Sequence, residues 1–313
     1  MITTPTVLVV GAGASIPYGF PSGHNMVSKV LDTLKAPNGD AWRILSNNGT
    51  EEEISREIER FHERLAHTYP ASVDDFLDDA QTSEVEVRIA TTAIATCLLG
   101  KDFLPTLRDR ELEDHWLGLL WQKMKGRRIN DFKSNRVHIV TYNYDLLIEC
   151  FFQEVLAAQY RIAQDEALTL FQKVTHITHV HGDLGDLPCA RGRPYSNGRA
   201  SFSEVSAAAQ HLSLLHMPDR TRHEKPYSKS YGLIGNATRL LFMGFGYHHE
   251  NVRRLNIRHA WRPDFQEHTI AGSTFGLTDR ELHTLREEFR SELDGLTFEG
   301  HRLKAHDFLR ECL

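Results

Sequence analysis

One short segment near the start of the chain constrains its fold more than any other. Residues 6–10 (TVLVV) are mostly β-branched, and they run directly into the glycine-rich turn Gly11-Ala12-Gly13. A short apolar run that ends at glycine is typical of a strand buried on both faces of a parallel sheet. A glycine-rich turn between such a strand and a helix can bind phosphates, because helix N-termini attract anions. The opening of the chain therefore predicts an α/β fold with a dinucleotide site at its first turn.

Four more segments have the composition of buried strands. They span residues 136–143 (RVHIVTYN), 177–182 (ITHVHG), 239–246 (RLLFMGFG) and 267–273 (EHTIAGS). Helical patterns separate these segments. Strands that alternate with helices are joined by parallel crossovers. We therefore predict an α/β protein with a doubly wound, mostly parallel sheet.

A long segment without strand character follows the first turn. Residues 24–126 read as a series of helices and separate the first predicted strand from the second. We predict that 24–126 is a helical insertion that forms a smaller domain over a cleft. Residues 1–23 and 127–313 would then form the sheet domain. Residues 187–200 are rich in turn formers and predict a surface loop.

Glycine or polar residues follow every predicted strand. The segments are Gly11–Ser15, Tyr142–Asp145, His181–Asp183, Gly244–Gly246 and Gly272–Thr274. In an open parallel sheet these ends lie along one edge, where ligands bind, so we predict that they form one site. Simpler interpretations stay open: Asn143 and Asp145 as helix caps, and His181 as an imidazole of the core.

The histidine-rich segment HITHVHGD (176–183) raises the question of a metal. His179 and His181 would share one face of a strand, and His248-His249 follows the fourth predicted strand. No acidic or cysteine partner completes a ligand set, and the four cysteines are not paired at metal spacing. We therefore expect no metal, and we expect reduced thiols in a cytoplasmic protein.

Departures from common nucleotide motifs limit the chemistry. The third glycine of a GxGxxG fingerprint is Ile16, and residues 24–36 look helical where a dehydrogenase would place the end of its second strand and an acidic residue. A GxxxxGK[ST] motif is missing, which excludes a P-loop. The formal net charge of −6 argues against bare nucleic acid as the main partner, and the apolar stretches are too short to span a bilayer. A hydride-transferring dehydrogenase is therefore disfavoured.

Five motifs in order along the chain resemble those of the sirtuin-like NAD-binding superfamily. They are GAGAS with GFPSG near the start, TYNYD, HVHGD and FMGFGYHHENVRRL. More closely, the motifs resemble those of the bacterial sirtuin-like NAD hydrolases of antiphage defence systems. The resemblance implies a six-stranded, parallel Rossmann-like sheet with a smaller helical domain over the NAD cleft. It also implies NAD as the substrate.

The resemblance assigns roles to three polar side chains. Asn143 matches the asparagine that contacts the nicotinamide ribose and helps to place the attacking water. Asp145 matches the aspartate near the nicotinamide carboxamide, and His181 matches the catalytic histidine. An imidazole has an ordinary pKa that suits a base near neutral pH, which agrees with that role.

The same comparison implies a set of NAD-binding residues in three loops. The first loop binds NAD through its glycines, the second lies beside phosphate and ribose, and the third lies near the adenosine. The candidates are Gly11, Ala12, Gly13, Ser15, Pro21 and Ser22 in the first loop, Gly244, Phe245 and Gly246 in the second, and Gly272 and Ser273 in the third.

Two departures from the protein-deacylating sirtuins favour hydrolysis of NAD. Deacylases resemble GAGIS…GIPDFR in the first loop, whereas this chain has Gly19-Phe20-Pro21-Ser22-Gly23. Deacylases also carry a CxxC…CxxC zinc ribbon after the histidine motif, where this chain has only Cys189. We therefore expect an NAD glycohydrolase. A deacylase or ADP-ribosyl transferase, and a non-catalytic module that binds NAD or ADP-ribose, stay open.

An unrestrained NAD hydrolase would drain its host, so we expect its activity to be triggered. The expected partners are a second copy of the chain in a homo-oligomer, an activating protein, or both. The resemblance suggests a HerA-like ATPase or an Argonaute-like protein as the activator, with no direct contact to nucleic acid or membrane. The acidic segments 51–64 (EEEISREIERFHER) and 72–79 (SVDDFLDD) are candidate regulatory surfaces or simply solvated helix faces.

Overall fold

The computed structural model describes residues 1–46, 51–77, 82–99, 104–185, 200–213, 220–261, 268–292 and 297–313. Within these ranges one sheet is formed by β1 (Thr6–Val10), β2 (Val137–Thr141), β3 (Ile177–His179), β4 (Arg239–Met243), β5 (Thr269–Ser273) and β6 (Phe298–His301). The order across the sheet is β3-β2-β1-β4-β5-β6, and each neighbouring pair is parallel. The predicted α/β class and doubly wound, Rossmann-like sheet are confirmed.

The sheet grows outward from β1 in two directions. β1 pairs with β2 on one side and with β4 on the other, so that Val9 lies opposite both Val140 and Phe242. The chain places β2 and β3 on the first side and later places β4, β5 and β6 on the second. The carboxyl ends of β1 and β4 therefore flank the point where the strand order reverses. Ligands bind at this point in open α/β sheets.

The predicted strands are present but shorter than their apolar patterns. In the segment 177–182 only β3 is a strand, and in 239–246 only β4 is. The remaining residues of both segments belong to the loops at the carboxyl edge of the sheet. The apolar pattern does not predict β6, whose sequence FEGH has a single apolar side chain, Phe298. Residue 267 and most of the predicted loop 187–200 lie outside the described residues.

Helices cover both faces of the sheet. They are a 3-10 helix (Ala12–Tyr18), then α1 (Gly23–Leu34), α2 (Asp40–Ser46), α3 (Glu51–Thr68), α4 (Val73–Leu77), α5 (Glu84–Leu99), α6 (Leu104–Arg108), α7 (Trp116–Met124), α8 (Ile129–Phe132), α9 (Leu147–Tyr160), α10 (Gln164–Val174), α11 (Phe202–His211), α12 (Arg220–Gly235), α13 (His249–Arg254), α14 (Ile257–Ala260), α15 (Asp279–Glu292) and α16 (Ala305–Cys312). Leu8 and Val10 face one core cluster, while Val7 and Val9 face another. This alternation follows from the two-residue period of a strand.

The segment 24–126 is helical over most of its described residues, and it covers the face of the sheet to which Leu8 and Val10 point. Ser22 caps α1, because its hydroxyl accepts a hydrogen bond from the amide of Asn25 at 3.2 Å. α5 is buried along most of its length and lies between α1 and α11. Buried residues of this segment share one core cluster with Leu8 and Val10 of β1. The division into two domains stays a prediction.

Two further properties bear on the expectations from sequence. In the described ranges, no helix combines the length and the apolar character needed to cross a bilayer. Cys97 and Cys312 are not in disulfides, but Cys150 on α9 is in a disulfide. The expectation of a reduced thiol is therefore wrong for Cys150.

Candidate functional site

A cavity of about 120 Å³ lies at the carboxyl ends of β1 and β2. Six of the predicted site residues line it: Ala12, Ser15, Pro21, Ser22, Asn143 and Asp145. The helical segment supplies the opposite wall through Met26, Ser72, Val73, Asp74, Ile94 and Leu98. Small-molecule sites usually measure roughly 300–1,000 Å³. This cavity therefore accommodates one ring-sized group, and the remainder of a dinucleotide would have to lie outside it.

A chain of buried hydrogen bonds joins the loops after β1 and β2. The side-chain amide of Asn143 donates to the Ser15 hydroxyl at 2.9 Å, and this hydroxyl donates to Oδ2 of Asp145 at 2.9 Å. The Asn143 amide also donates to the carbonyl oxygen of Gly11 at 3.2 Å. Ser15, Asn143 and Asp145 are only 3%, 7% and 8% exposed. The orientation of the Asn143 side chain is therefore fixed by two acceptors.

The other side-chain atom of Asn143 is left available. Its Oδ1 is buried and has no hydrogen-bond partner among the described residues. A buried carbonyl oxygen without a partner is costly, because it has lost its hydration without replacement. Since Asn143 lines the cavity, a ligand or a water in the cavity can supply the missing donor.

Asp145 both lines the cavity and contacts the start of α9. Its Oδ1 accepts a hydrogen bond from the amide of Leu147, the first residue of α9, while Oδ2 accepts from Ser15. Burial raises the pKa of Asp145 to about 6, against the opposing effect of these two hydrogen bonds. The carboxyl group therefore lies in the cavity wall although burial removes the hydration of its charged form.

His181 lies next to the cavity and is absent from its lining. Its ring is 5.2 Å from the ring of Tyr142 and 6.3 Å from that of Tyr144, and both tyrosines line the cavity. Burial, and secondly the charge of Arg254, lower the pKa of His181 to about 4. The imidazole is therefore neutral at neutral pH, and it is a weaker base than the ordinary pKa expected from the sequence implies. Its Nδ1 is buried without a hydrogen-bond partner in the described part of the chain, and can accept a proton.

The glycines of the first two loops pack backbone against backbone. The amide of Gly11 donates to the carbonyl oxygen of Met243 at 3.0 Å, and the amide of Gly13 donates to that of Gly244 at 2.9 Å. A Cβ atom on Gly11 would lie 2.6 Å from the Gly244 oxygen, and a Cβ on Gly244 would lie 2.0 Å from the nitrogen of Ala14. These glycines therefore join the two loops at the reversal point, and the Gly11 and Gly13 amides are already engaged.

The remaining NAD-binding candidates lie outside the cavity lining. Phe245 packs edge to face on Tyr142, with ring centroids 4.9 Å apart, and Gly246 lies beside the His248 ring. Gly272 leaves room for the Tyr247 hydroxyl, which would be 2.1 Å from a Cβ at that position. The Ser273 hydroxyl donates to the carbonyl oxygen of Leu303 at 2.6 Å.

His179 supports the loop that carries Asn143, a role that the sequence did not reveal. Its Nδ1 donates to the backbone carbonyl oxygen of Asn143 and its Nε2 donates to Oε1 of Glu149, each at 2.9 Å. Both partners are acceptors only, so both ring nitrogens carry protons and the ring is an imidazolium. Burial lowers the pKa of His179, but the Glu149 carboxylate outweighs this effect and raises it overall. The clustering of three histidines was the available signal, but it raised only the question of a metal site, which the sequence disfavours.

The two histidines of HVHGD have different surroundings. β3 ends at His179, so His181 does not share a strand with it. Over the described ranges, no group of three or more histidine, cysteine or acidic side chains is placed to hold a metal ion.

α7 holds the first loop from the side of the helical segment. The indole nitrogen of Trp116 donates to the carbonyl oxygen of Ala14 at 2.7 Å, and Trp116 is fully buried. The Tyr18 hydroxyl accepts from the amide of Leu117 at 3.1 Å. The 3-10 helix that carries Ser15 is therefore positioned by α7 as well as by β1.

Comparison with known proteins finds a family resemblance in the range that carries part of this site. A protein-family model described as a SIR2-like domain matches residues 137–269. The matched range runs from the start of β2 to the start of β5 and includes Asn143, Asp145 and His181. No curated protein matches the chain. The family match supports a sirtuin-like superfamily and, because SIR2-like domains bind NAD, an NAD-related function.

Proposed function

We propose that the chain is an NAD glycohydrolase that cleaves NAD⁺ to nicotinamide and ADP-ribose. The observation that carries this proposal is the buried arrangement of Asn143, Ser15 and Asp145 at a ring-sized cavity. Two of these residues, Asn143 and Asp145, lie in the range that matches a SIR2-like domain. The geometry offers one unpaired carbonyl oxygen and one carboxyl group to a single bound ring.

The reaction breaks the bond between C1′ of the ribose and N1 of nicotinamide. The bonding electron pair goes to N1, which converts the cationic ring to neutral nicotinamide and leaves an oxocarbenium-like ribose. A water oxygen then bonds to C1′, and one water proton passes to a base and to solvent. Because the leaving group is cationic before cleavage, the reaction does not require a strong general acid.

Each of the three polar side chains has a task in this scheme. The unpaired Oδ1 of Asn143 accepts a hydrogen bond from the attacking water or a ribose hydroxyl. Asp145 contacts the carboxamide side of the ring and stabilises positive charge nearby. The neutral His181, with its free Nδ1, accepts the proton. The cavity holds the nicotinamide, and the rest of the dinucleotide extends past the loops after β1 and β4.

The test is to incubate the purified chain with NAD⁺ and to follow nicotinamide and ADP-ribose by chromatography. We expect Asn143→Ala to lower kcat/KM by roughly 10²–10³-fold, as for the loss of one preorganised polar contact. We expect His181→Ala to lower it by about 10²–10⁴-fold, as for the loss of a general base. Thermal melting of each variant separates lost turnover from lost folding.

His176→Ala is the matched control. His176 is an exposed histidine at the opposite, amino-terminal end of β3, so its removal leaves the site intact. Turnover by Asn143→Ala and His181→Ala at the wild-type rate would contradict the assignment of the site. Tight binding of NAD⁺ without nicotinamide release under any condition would make the chain a binding module instead.

The resemblance of the motifs to antiphage NAD hydrolases leads us to extend the proposal to a triggered effector. Assembly into a homo-oligomer, an activating protein such as a HerA-like ATPase or an Argonaute-like protein, or both would switch on NAD depletion. Turnover per chain should then rise with protein concentration or on addition of the partner. Full turnover by dilute monomer, verified by light scattering, would contradict triggering while leaving the hydrolase proposal in place.

A further inference from the structure

Two adjacent acidic residues on α4 face different surroundings. Asp75 takes part in capping the amino-terminal end of α4. Ser72 Oγ accepts a hydrogen bond from the Asp75 amide at 3.0 Å, and Asp75 Oδ2 accepts one from the Ala71 amide at 3.0 Å. Asp74 instead lines the cavity, together with Ser72 and Val73. The acidic segment at 72–79 is therefore more than a solvated surface, although residues 78 and 79 lie outside the described part.

Asp74 lies beside the loop that carries the proposed catalytic residues. Its carboxylate is close enough to the buried hydroxyl of Tyr144, which lies between Asn143 and Asp145 in the sequence, to act on it electrostatically. Burial, followed by the negative charge of Asp74, raises the pKa of Tyr144 well above its usual range. The tyrosine is therefore neutral. Asp74 and Tyr144 both line the cavity, so the helical segment and the loop after β2 meet there.

The cavity has the charge of a cation site. Asp74 and Asp145 contribute two carboxyl groups to its wall, and in the part of the chain that the structure describes the lining contains no lysine or arginine. The unpaired Oδ1 of Asn143, a buried carbonyl oxygen, adds a further negative dipole end. Coulomb attraction is strong where water is excluded, so this wall favours a positive ring over a neutral one of the same shape.

We propose that Asp74 is a specificity-determining residue that selects the oxidised, positively charged nicotinamide ring over its neutral counterparts. This inference rests on the proposed function, because it identifies the group in the cavity as the nicotinamide ring. NAD⁺ carries the positive charge on this ring, and NADH does not. Cleavage removes the charge from the ring, so the attraction is lost when nicotinamide forms and the product is released more easily.

The charge on the ring is largest before the bond breaks, so Asp74 acts mainly on substrate binding. An interaction that is not strengthened in the transition state changes KM more than kcat. We therefore expect Asp74→Asn to raise KM for NAD⁺ by about tenfold, the equivalent of one lost charge-assisted contact, with a smaller change in kcat. NADH should inhibit this variant about as well as it inhibits the wild type.

Two small probes test the inference without any turnover. 1-Methylnicotinamide is a ring-sized cation, and nicotinamide is its neutral relative; neither contains the bond that the enzyme would cleave. We expect the wild type to bind 1-methylnicotinamide more tightly, as measured by ligand-observed NMR titration. Asp74→Asn should lose about tenfold in affinity for the cation and little for nicotinamide, since hydrogen bonds to charged groups are the stronger ones.

Asp75→Asn is the matched control, because it makes the same change at the neighbouring position, which does not line the cavity. It should keep the preference of the wild type, and Asp74→Glu should restore much of it. Equal affinity of the wild type for both probes would overturn the inference without any substitution. An equal loss of both probes in a folded Asp74→Asn variant would also overturn it.

The two proposals fail in different ways. A preference for the cation without NAD⁺ hydrolysis would contradict the proposed reaction, and Asp74 would then be a specificity-determining residue of a binding site. Hydrolysis without a preference for the cation would leave the reaction in place and remove the role of Asp74.

Discussion

A buried ion pair directly supports the backbone of Asn143. Glu149 and His179 are both about 8% exposed in their side chains, and their contact at 2.9 Å holds the imidazolium whose other nitrogen binds the Asn143 carbonyl oxygen. Removing one partner of such a pair leaves an uncompensated charge in the interior, which is costly. His179 is therefore a positioning residue that acts through Asn143, and it is not itself part of the cavity lining.

The pair predicts a pH dependence of stability with a definite sign. The pKa of His179 is raised in the folded state to about 9. Its contribution to stability is therefore complete below the unfolded pKa near 6.5 and is lost as the pH rises through the folded pKa. The free energy of unfolding should fall between about pH 6.5 and pH 9, at up to roughly 1.4 kcal/mol per pH unit.

Glu149→Gln tests this dependence, because it removes the charge and keeps a hydrogen-bonding group beside His179. Urea titrations at several pH values should give a flatter curve for the variant than for the wild type across this window. Asp145 and Asp183 also act on His179 or share its surroundings, and they are the same in both proteins. Parallel curves for the two proteins would show that His179 is not charged. His179→Ala should lower kcat, because the backbone carbonyl oxygen of Asn143 loses the hydrogen bond that His179 donates.

The place of a single residue in the site was predictable from sequence only where the residue follows a predicted parallel strand, because such strand ends meet at one edge of the sheet. Asn143, Asp145 and Ser15 follow parallel strands, so their meeting was predictable. His179 and Asp74 were not, because their roles depend on partners that are distant in the sequence or on a helix whose facing side is unknown. The spacing from Ser72 to Asp75 predicts a helix cap that involves Asp75, but nothing in SVDDF indicates that Asp74 lines a cavity.

At the scale of elements, the contact between the loops after β1 and β4 fixes the site. Gly244 has a positive φ of 55° and touches the backbone of Gly13 and Ala14. Such a conformation is favourable for glycine and strained for other residues. Sequence predicted that both loops lie at the site, but it assigned the glycines to the ligand, whereas the structure uses them first to bring two backbones together.

Gly244→Ala should therefore disrupt the junction between these loops. The added Cβ would lie 2.0 Å from the nitrogen of Ala14, in addition to the strain of the positive φ. We expect a loss of roughly 2–5 kcal/mol in the free energy of unfolding, measured by urea titration. Binding of 1-methylnicotinamide should weaken in any folded fraction.

Gly232→Ala is the control for this substitution. Gly232 lies in α12, and a Cβ added there would have no neighbouring atom within 4 Å, so alanine should stabilise the protein by about 0.5–1 kcal/mol. A Gly244→Ala protein as stable as the wild type would mean that the two loops can separate without cost.

The strands show why some elements were predictable and others were not. β1, β2 and β4 lie at the centre of the sheet, are buried, and are marked by continuous apolar sequence. β6 lies at the edge, where the described residues place a strand on one side only, and its sequence FEGH carries almost no apolar signal. The resemblance to a family with six strands implied it, whereas hydrophobic periodicity could not.

At the scale of the whole molecule, the helical segment and the sheet share one core. Buried residues from Val27 to Met124 belong to the same cluster as Leu8 and Val10 of β1 and Ile139 of β2. The hydrogen bond from Trp116 to Ala14 links the two parts at the site. The sequence predicted the boundary of the segment from its composition, but it could not reveal how much surface the segment buries against the sheet.

A shared core predicts a single cooperative unfolding transition, although the sequence predicts two domains. Three of the four tryptophans, Trp42, Trp116 and Trp121, lie in the helical segment, and Trp261 lies in the cluster on the other face of the sheet. In a Trp261→Phe variant, tryptophan fluorescence therefore reports on the helical segment alone, while far-ultraviolet circular dichroism reports on the whole chain. We expect the two signals to change together in guanidinium chloride, since coincident transitions indicate one folding unit. Fluorescence that changes at a lower denaturant concentration would show that the helical segment unfolds by itself, and the cavity it covers would then open without loss of the sheet.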